Sequence, residues 1–212
     1  MSNKESNADN QQGSSDQSRD PSETIRRTPL SNSSKDIKAY FLGAIHDGTF
    51  SSNKRFRICQ KGNEWLIVLK ELLKSIGYNS WIYKEGKDRS VYVLETLANF
   101  LDFNFNPLKL KSTQEKISYI RGFFDAEGGI PHNKDSRLYI QLAVKDKRRI
   151  KQIKTILNSL GIKSGKIHNP SINKNPDYWR IYVLSESKNK FIQEIGSWHP
   201  AKRRLLDERM MI

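Results

Sequence analysis

The chain has very little cysteine and no long apolar run, and both shortages limit what it can be. Its single cysteine, Cys59, excludes an internal disulfide. No segment is long and apolar enough to cross a membrane, and the first residues lack a secretion signal. Acidic side chains near the first residue also argue against an organelle import peptide. We therefore expect an intracellular protein with no membrane partner, in the cytoplasm or nucleoid, or in an organelle if one encodes it.

Acidic residues are scarce relative to basic ones, since 23 Asp and Glu stand against 37 Lys and Arg, for a net charge of +14. Residues 1–35 contain five basic and five acidic side chains, so the whole excess belongs to the rest of the chain. A basic surface of this size favours a polyanion such as nucleic acid, although a merely solvated surface stays an alternative. Residues 1–35 are polar and almost free of apolar side chains, which predicts a disordered tail.

Histidine is also sparse, and its placement does not favour a zinc site. The four histidines show no helical ligand spacing and have no cysteine partners; they are His46, His132, His168 and His199. Each is better interpreted as a surface or hydrogen-bonding residue. His46 is a partial exception, because it adjoins Asp47 and can reach a substrate bound there.

Two segments share one design, in which an apolar stretch containing small residues ends in a carboxylate followed by glycine. They are residues 40–48, ending in Asp47 and Gly48, and residues 120–128, ending in Glu127 and Gly128. An acid in the last turn of a helix lies at the negative end of the macrodipole, so a positive partner is expected there. Glycine after each acid is typical of a left-handed helix cap. Both acids are candidate ligands for a divalent cation.

The remainder of the chain repeats with these segments. Leu69 to Tyr78 parallels Ile153 to Ile162, and Val91 to Leu94 parallels Ile181 to Leu184, which indicates duplicated supersecondary units. Helical and strand periodicities divide each unit into helix, two strands, helix, two strands and helix. We predict an α+β fold of two pseudo-symmetric αββαββα halves, residues 36–111 and 112–212, each with a four-stranded antiparallel sheet.

Basic residues on the first predicted sheet alternate with apolar ones. Arg55, Arg57 and Lys61 therefore share a face suited to phosphates, and a two-stranded ribbon is narrow enough for a DNA major groove. Six aromatic residues in or beside predicted strands are either stacking platforms for bases or cross-strand and core residues; they are Trp81, Tyr83, Tyr139, Tyr178, Trp179 and Tyr182.

The segment from Ile120 to Gly128 resembles the signature of the LAGLIDADG homing endonucleases position for position, with Glu127 in the place of the catalytic acid. In the first copy Asp47 and Gly48 match the final acid and glycine. Leu42 stands where the first glycine of the motif belongs, and Gly43 lies one place later, so the register of that copy stays open.

The resemblance implies a monomeric, site-specific double-strand DNA endonuclease in which the signature helices pack centrally and the sheets form a saddle over DNA. Asp47 and Glu127 would bind the metal, Mg²⁺ or Mn²⁺, with Ca²⁺ supporting binding without cleavage. A lysine after the last strand of each half would act as a catalytic residue, Lys202 in one half and Lys111 in the other, with Lys109 as the rival of Lys111. Tyr139, Gln141 and Arg180 would face DNA with the three basic residues of the first sheet.

Two related functions stay open beside this one. An intron-splicing maturase of the same fold would bind intron RNA, and a cleavage-inactive descendant would bind DNA without cutting it. The retained pair of acids, Asp47 and Glu127, argues against the binding-only form. An open reading frame within an intron would point to the intron-free junction as the target.

Overall fold

The structure, a computed structural model, describes residues 33–51, 54–86, 90–133 and 135–210. Most of the predicted tail, residues 1–32, lies outside the described residues. In chain order the elements are α1 (Ser34–Ala44), β1 (Gly48–Phe50), β2 (Phe56–Lys61), α2 (Glu64–Ser75), β3 (Ser80–Glu85), β4 (Val91–Thr96), α3 (Thr113–Glu127), β5 (Gly128–Gly129), β6 (Gln141–Val144), α4 (Lys147–Ser159), β7 (Trp179–Tyr182) and α5 (Pro200–Met210). None of the helices in these ranges has the length and apolar character needed to span a membrane.

The two signature helices, α1 and α3, start with the same local device. Ser33 caps α1 in a reciprocal box with Asp36, and Ser112 caps α3 in a box with Glu115. Each serine accepts a main-chain N–H of the first turn while the acid accepts the N–H of the serine, which satisfies two donors that the helix leaves unpaired. The same start signal thus opens both copies of the repeat.

Helices α1 and α3 pack along each other at the centre of the molecule, and their C-terminal ends bring the two acids together. At this contact, each half of the molecule contributes a side chain to the hydrophobic core of the other half. Ala39 of α1 packs into the core of the second half, whereas Trp198, from the segment before α5, packs into the core of the first half. The two halves therefore share their cores across the helix pair and fold around it.

Two antiparallel sheets flank this pair. The first has the strand order β1-β2-β4-β3, with Arg57 paired to Glu95, and its inner face packs on α2. The second has the order β5-β6-β7, with Ala143 paired to Arg180, and packs on α4. The duplicated α+β fold with antiparallel sheets agrees with the prediction.

Details of the second sheet and of the first half differ from the predicted αββαββα pattern. The second sheet has three strands, because the chain beside β7 makes only isolated bridges, Ser164 to Val183 and His168 to Arg180. In the first half the segment after β4 contains a single 3₁₀ turn, Pro107–Lys109, instead of a third α-helix. Pro107 removes one main-chain donor, and Asn106 caps the turn.

The prediction of left-handed caps at Gly48 and Gly128 is wrong. Both glycines are extended, with φ of −117° and −82°, and continue directly into β1 and β5. Their small size is needed for another reason. A Cβ on Gly128 would lie 2.4 Å from the Phe124 carbonyl oxygen, and one on Gly48 would lie 2.8 Å from that of Arg57.

Candidate active site

Asp47 and Glu127 lie at the ends of the two central helices, where each helix turns into a strand. Glu127 is the last residue of α3, and Asp47 ends a 3₁₀ turn, Ile45–Asp47, that prolongs α1. Both side chains are half-buried. The sequence prediction that these two acids stand at helix ends agrees with their positions, and the helix pairing explains why they meet.

Burial and mutual repulsion make both carboxylates unusually basic. Loss of water raises the pKa of Asp47 to about 6, although Lys202 and a hydrogen bond from Gln60 act in the opposite direction. Loss of water also raises the pKa of Glu127 to about 7, and the negative charge of Asp47 raises it further, against Lys202 and Lys145. Burial is thus the main reason why both acids keep their protons to a higher pH than exposed carboxyl groups do.

Gln60 of β2 donates a hydrogen bond from its side-chain amide to the Asp47 carboxylate. The pairing of Gly48 with Ile58 lays β2 beside β1 and so brings this side chain to the acid. The sequence analysis missed Gln60, because side chains alternate between the two faces of a strand and Gln60 lies on the opposite face from Arg57 and Lys61. The strand register that brings it to Asp47 is set by contacts distant in sequence.

Lys202, in the first turn of α5, supplies the positive partner expected at the end of α3. Its ammonium group donates to the carbonyl oxygens of Phe124 and Asp125, each at 2.7 Å. Both carbonyls belong to the last turn of the helix and carry its partial negative charge, and that of Phe124 also accepts the Gly128 N–H. Burial lowers the pKa of Lys202, while Asp125, Asp47 and Glu127 raise it. The ammonium thus acts electrostatically on both acids.

The structure contradicts the placement of Lys111 beside the acids. Lys111 is exposed, and its main-chain N–H donates to Glu115 in the capping box at the start of α3. Fifteen helical residues separate that end from Glu127, which is about 20 Å at about 1.5 Å per residue. Its rival Lys109 belongs to the 3₁₀ turn just before and is equally remote. The segment that carries both lysines leads into the start of α3. The acids lie at the opposite end of the helix pair, so neither lysine is beside them.

His46 stands beside the acids in a half-buried position. Its ring packs edge-on against Phe123 at 5.4 Å, and its Nε2 makes no hydrogen bond to any described residue. Burial lowers its pKa to about 4, with Arg149 adding to the effect. The imidazole also lines a cleft of about 500 Å³ whose wall includes Glu127, Lys145 and Tyr178. A neutral histidine therefore borders the space in front of Glu127.

The first sheet carries a connected group of charged residues on the face away from α2. Arg57 makes ion pairs of 3.0 Å with Glu85 and with Glu95, and donates to the Tyr83 hydroxyl at 3.1 Å. Arg55 lies 3.5 Å from Glu95 and over the Trp81 ring. Lys61 continues this face at the end of β2 and is exposed. The predicted alternation is present, and Glu95 holds two of the three basic side chains in place.

The corresponding face of the second sheet is more aromatic. Gln141 pairs with Tyr182, and Tyr139 packs edge-on against Tyr182 at 5.9 Å. Arg180, next along the face, lies over the Tyr178 ring at 5.0 Å. The structure thus brings Tyr139, Gln141 and Arg180 to one face. Tyr139 packs on Tyr182 and the Arg180 guanidinium on Tyr178, and the Lys147 ammonium lies over the Trp179 ring at 4.1 Å. These aromatic residues therefore form cross-strand and cation–π contacts.

Residues 114–196 match the family model of the LAGLIDADG-like domain, which covers the second repeat from α3 to the segment before α5. Over 201 residues the chain is 25% identical to the homing endonuclease I-ApeI of Aeropyrum pernix, covering 80% of this chain and 85% of that protein.

Solved structures show the same fold. The crystal structure of I-DmoI in complex with DNA and Mn matches with a TM-score of 0.57 and 21% identity, over 77% of this chain and 98% of that one. The N-terminal LAGLIDADG domain of DUF199/WhiA matches with a TM-score of 0.62 and 15% identity, over 83% and 88% of the two chains. At these identities the likeness concerns the fold.

Proposed function

We propose that this chain is a monomeric homing endonuclease of the LAGLIDADG type that hydrolyses both strands of a long, asymmetric DNA target with a divalent metal ion, Mg²⁺ or Mn²⁺. The observation that carries the proposal is the pairing of Asp47 and Glu127 at the adjoining ends of two helices. Burial raises their pKa values to about 6 and about 7, and a bound cation would stabilise the charged form of both acids.

The residues present fit a hard cation bound mainly by water and substrate. In the described part of the chain, no three side chains of His, Cys, Asp or Glu form a metal-binding cluster. Mg²⁺ is usually held by one or two carboxylates together with waters and substrate phosphates, so two acids are an adequate protein contribution. Such an ion polarises a phosphate and favours hydroxide formation on its bound water. Lys202, which acts electrostatically on both acids, would stabilise charge that develops on the phosphate oxygens.

The two sheet faces support duplex DNA as the substrate. Arg55, Arg57 and Lys61 on the first face, with Arg180 on the second, offer cations for phosphates and forked donors for guanine. Tyr139 and Gln141 add an aromatic edge and an amide beside Arg180. Because the two faces differ in composition, the sequence that they read would differ between the two half-sites.

The test is a selection that assumes no target. A plasmid library with a randomised segment would be incubated with the protein and Mg²⁺ or Mn²⁺, and the linear products would be sequenced. We expect one long asymmetric consensus with both strands cut. The Asp47→Asn, Glu127→Gln double variant is the control, and it should yield no linear product. If the unmodified protein binds DNA but yields no linear product, the cleavage-inactive alternative would be favoured.

A maturase differs from this function in its ligand. Intron RNA would then compete with target DNA in a filter-binding assay, whereas a dedicated endonuclease would retain DNA in the presence of excess RNA. The paired acids with raised pKa values favour cleavage over either binding-only function, because binding alone gives no reason to bury two carboxylates together.

A further inference from the structure

The carboxylate of Asp125, two residues before Glu127, is buried and fully engaged. It is 2% exposed and accepts four hydrogen bonds: from the Tyr40 hydroxyl at 2.7 Å, the Trp198 N–H at 2.9 Å, the His199 N–H at 3.1 Å and the Ser197 hydroxyl. Three of the four donors belong to the segment 197–199. A buried carboxylate with so many donors fixes the groups that surround it.

The segment 197–199 leads directly into α5, which carries Lys202. His199 accepts a hydrogen bond from the main-chain N–H of Arg203 at 2.9 Å, so it belongs to the first turn of that helix. The main-chain carbonyl of Asp125 accepts the Lys202 ammonium. Asp125 therefore holds the start of α5 through its side chain and the ammonium group of the same helix through its main chain.

The network also reaches the first half of the molecule. The Tyr40 hydroxyl that donates to Asp125 accepts a hydrogen bond from the Trp65 indole at 3.0 Å. The His199 ring stacks on the Trp65 ring, with centroids 5.1 Å apart. Tyr40 lies in α1 and Trp65 in α2, so Asp125 joins α1, α3 and the start of α5 at a single buried point.

We propose that Asp125 is a positioning residue, whose carboxylate binds residues 197–199 and thereby sets the place of the Lys202 ammonium relative to Asp47 and Glu127. The proposal rests on the proposed endonuclease function for its catalytic consequence. Both main-chain N–H groups and the Tyr40 hydroxyl donate to Oδ2 of Asp125, whereas the Ser197 hydroxyl donates to Oδ1. An amide at position 125 has only one acceptor oxygen and no charge, so it cannot also accept from Ser197 and binds the other donors less strongly, and the start of α5 would shift. A displacement of about 1 Å at a catalytic group can cost about 100-fold in rate.

The first test needs neither DNA nor activity. The protein would be treated with an amine-modifying reagent, and modification of Lys202 followed by mass spectrometry of its peptide. In the unmodified protein the ammonium is buried against two carbonyls and should react slowly, whereas Asp125→Asn should expose it and speed the reaction several-fold. Tyr119→Phe is the matched control, because it removes one buried hydroxyl of α3 that contacts Arg149 instead. Equal protection of Lys202 in Asp125→Asn and the unmodified protein would overturn the proposal.

If Asp125→Asn does not fold, Ser197→Ala gives the answer by removing one donor from the same network. Its Lys202 should react at a rate between those of the unmodified protein and a peptide standard. A reaction rate equal to that of the unmodified protein would overturn the proposal.

The second test separates positioning from general stability by a double-mutant cycle. Under single-turnover conditions with Mg²⁺, Asp125→Asn should lower the cleavage rate about 100-fold while DNA affinity in Ca²⁺ stays unchanged. In the Lys202→Met background the same substitution should have almost no further effect. An equal fold loss in both backgrounds would show a purely structural role. If the unmodified protein does not cut DNA, the proposed endonuclease function is rejected. The amine modification would then still test whether Asp125 positions Lys202.

Discussion

Gly43 and Gly122 occupy equivalent points of the contact between α1 and α3, and each lies against the main chain of the opposite helix. A Cβ on Gly43 would lie 2.1 Å from the Tyr119 carbonyl oxygen, and one on Gly122 would lie 1.9 Å from that of Tyr40. Small residues at this crossing let the two backbones touch. The register left open by the sequence is thereby settled, because Gly43, rather than Leu42, is the counterpart of the motif glycine.

This register leaves the first motif one residue shorter than the second between glycine and acid. The 3₁₀ turn Ile45–Asp47 compensates for the missing residue. Four residues from Gly43 to Asp47 rise about 7.5 Å if the last three advance about 2.0 Å each, and five α-helical residues from Gly122 to Glu127 also rise about 7.5 Å. Both acids consequently reach the same level below the crossing.

Because the two helices touch at Gly43 and Gly122, we predict that a larger side chain at this crossing destabilises the protein strongly. Gly122→Ala should lower the free energy of unfolding by about 3 kcal/mol, at the upper end for overpacking, because the obstructing atoms are main-chain atoms. Equilibrium unfolding in urea measures this change in the free energy of unfolding. Gly165→Ala is the control, since its Cβ would meet atoms no closer than 3.7 Å and its cost should stay within about 0.5 kcal/mol. Equal costs for the two variants would mean that the helices are not in close contact.

The repeat, the central helices and the positions of both acids could be predicted because they depend on local patterns. Helical periodicity and the acid before glycine are both short-range signals. Asp125 and Gln60 could not be assigned in this way. Asp125 meets residues more than seventy positions away, and Gln60 meets Asp47 only through strand pairing. The prediction for Lys111 is wrong because the segment after β4 leads to the start of α3, whereas the acids lie at the end of this helix.

The raised pKa values of the acids predict how the stability of the metal-free protein depends on pH. A carboxylic acid in the unfolded chain has a pKa near 4, whereas Asp47 and Glu127 have values of about 6 and about 7 in the folded protein. Between these values the folded acids bind more protons than the unfolded ones, so the stability that these two groups contribute falls as pH rises from about 4 to about 7. Burial lowers the pKa of His46 and of His199 to about 4, which acts in the opposite direction over the same interval. Thermal unfolding in a chelator should therefore show the effect of the acids as a difference in melting temperature between the unmodified protein and the Asp47→Asn, Glu127→Gln double variant that changes over this interval.

Mg²⁺ should reverse this trend, because it binds the deprotonated acids. Its stabilising effect on the melting temperature should be small at pH 5 and larger at pH 8. The Asp47→Asn, Glu127→Gln double variant should lose both the contribution of the acids between pH 4 and 7 and the response to Mg²⁺. An unchanged pH profile in that variant would show that other groups dominate the titration.

Electrostatic binding to DNA should depend on the residues from Ser33 onward and not on residues 1–32. With six to ten phosphate contacts, a range typical of duplex-binding proteins, the logarithm of affinity should fall with log salt by about 0.9 per contact. Residues 1–32 carry four basic and five acidic side chains. Their deletion, which preserves the Ser33 cap of α1, should leave the slope unchanged, whereas Arg180→Gln should reduce it by about one. A strong loss of affinity on truncation would assign the tail a role in binding.

Substitutions of Lys202 and Lys111 should differ in their effect on the cleavage rate. Lys202→Met should slow hydrolysis strongly, because the ammonium that acts on both acids is lost while the carboxylates that would hold the metal remain. Both strands should slow together, since one lysine acts on both acids. Lys111→Met serves as the matched control and should cut at the unmodified rate, because its position lies at the opposite end of α3. Supercoiled plasmid bearing the selected target would be followed through nicked to linear forms, with affinity measured separately in Ca²⁺. A normal rate for Lys202→Met, or a slow one for Lys111→Met, would reject this assignment and make Arg203 the next residue to test.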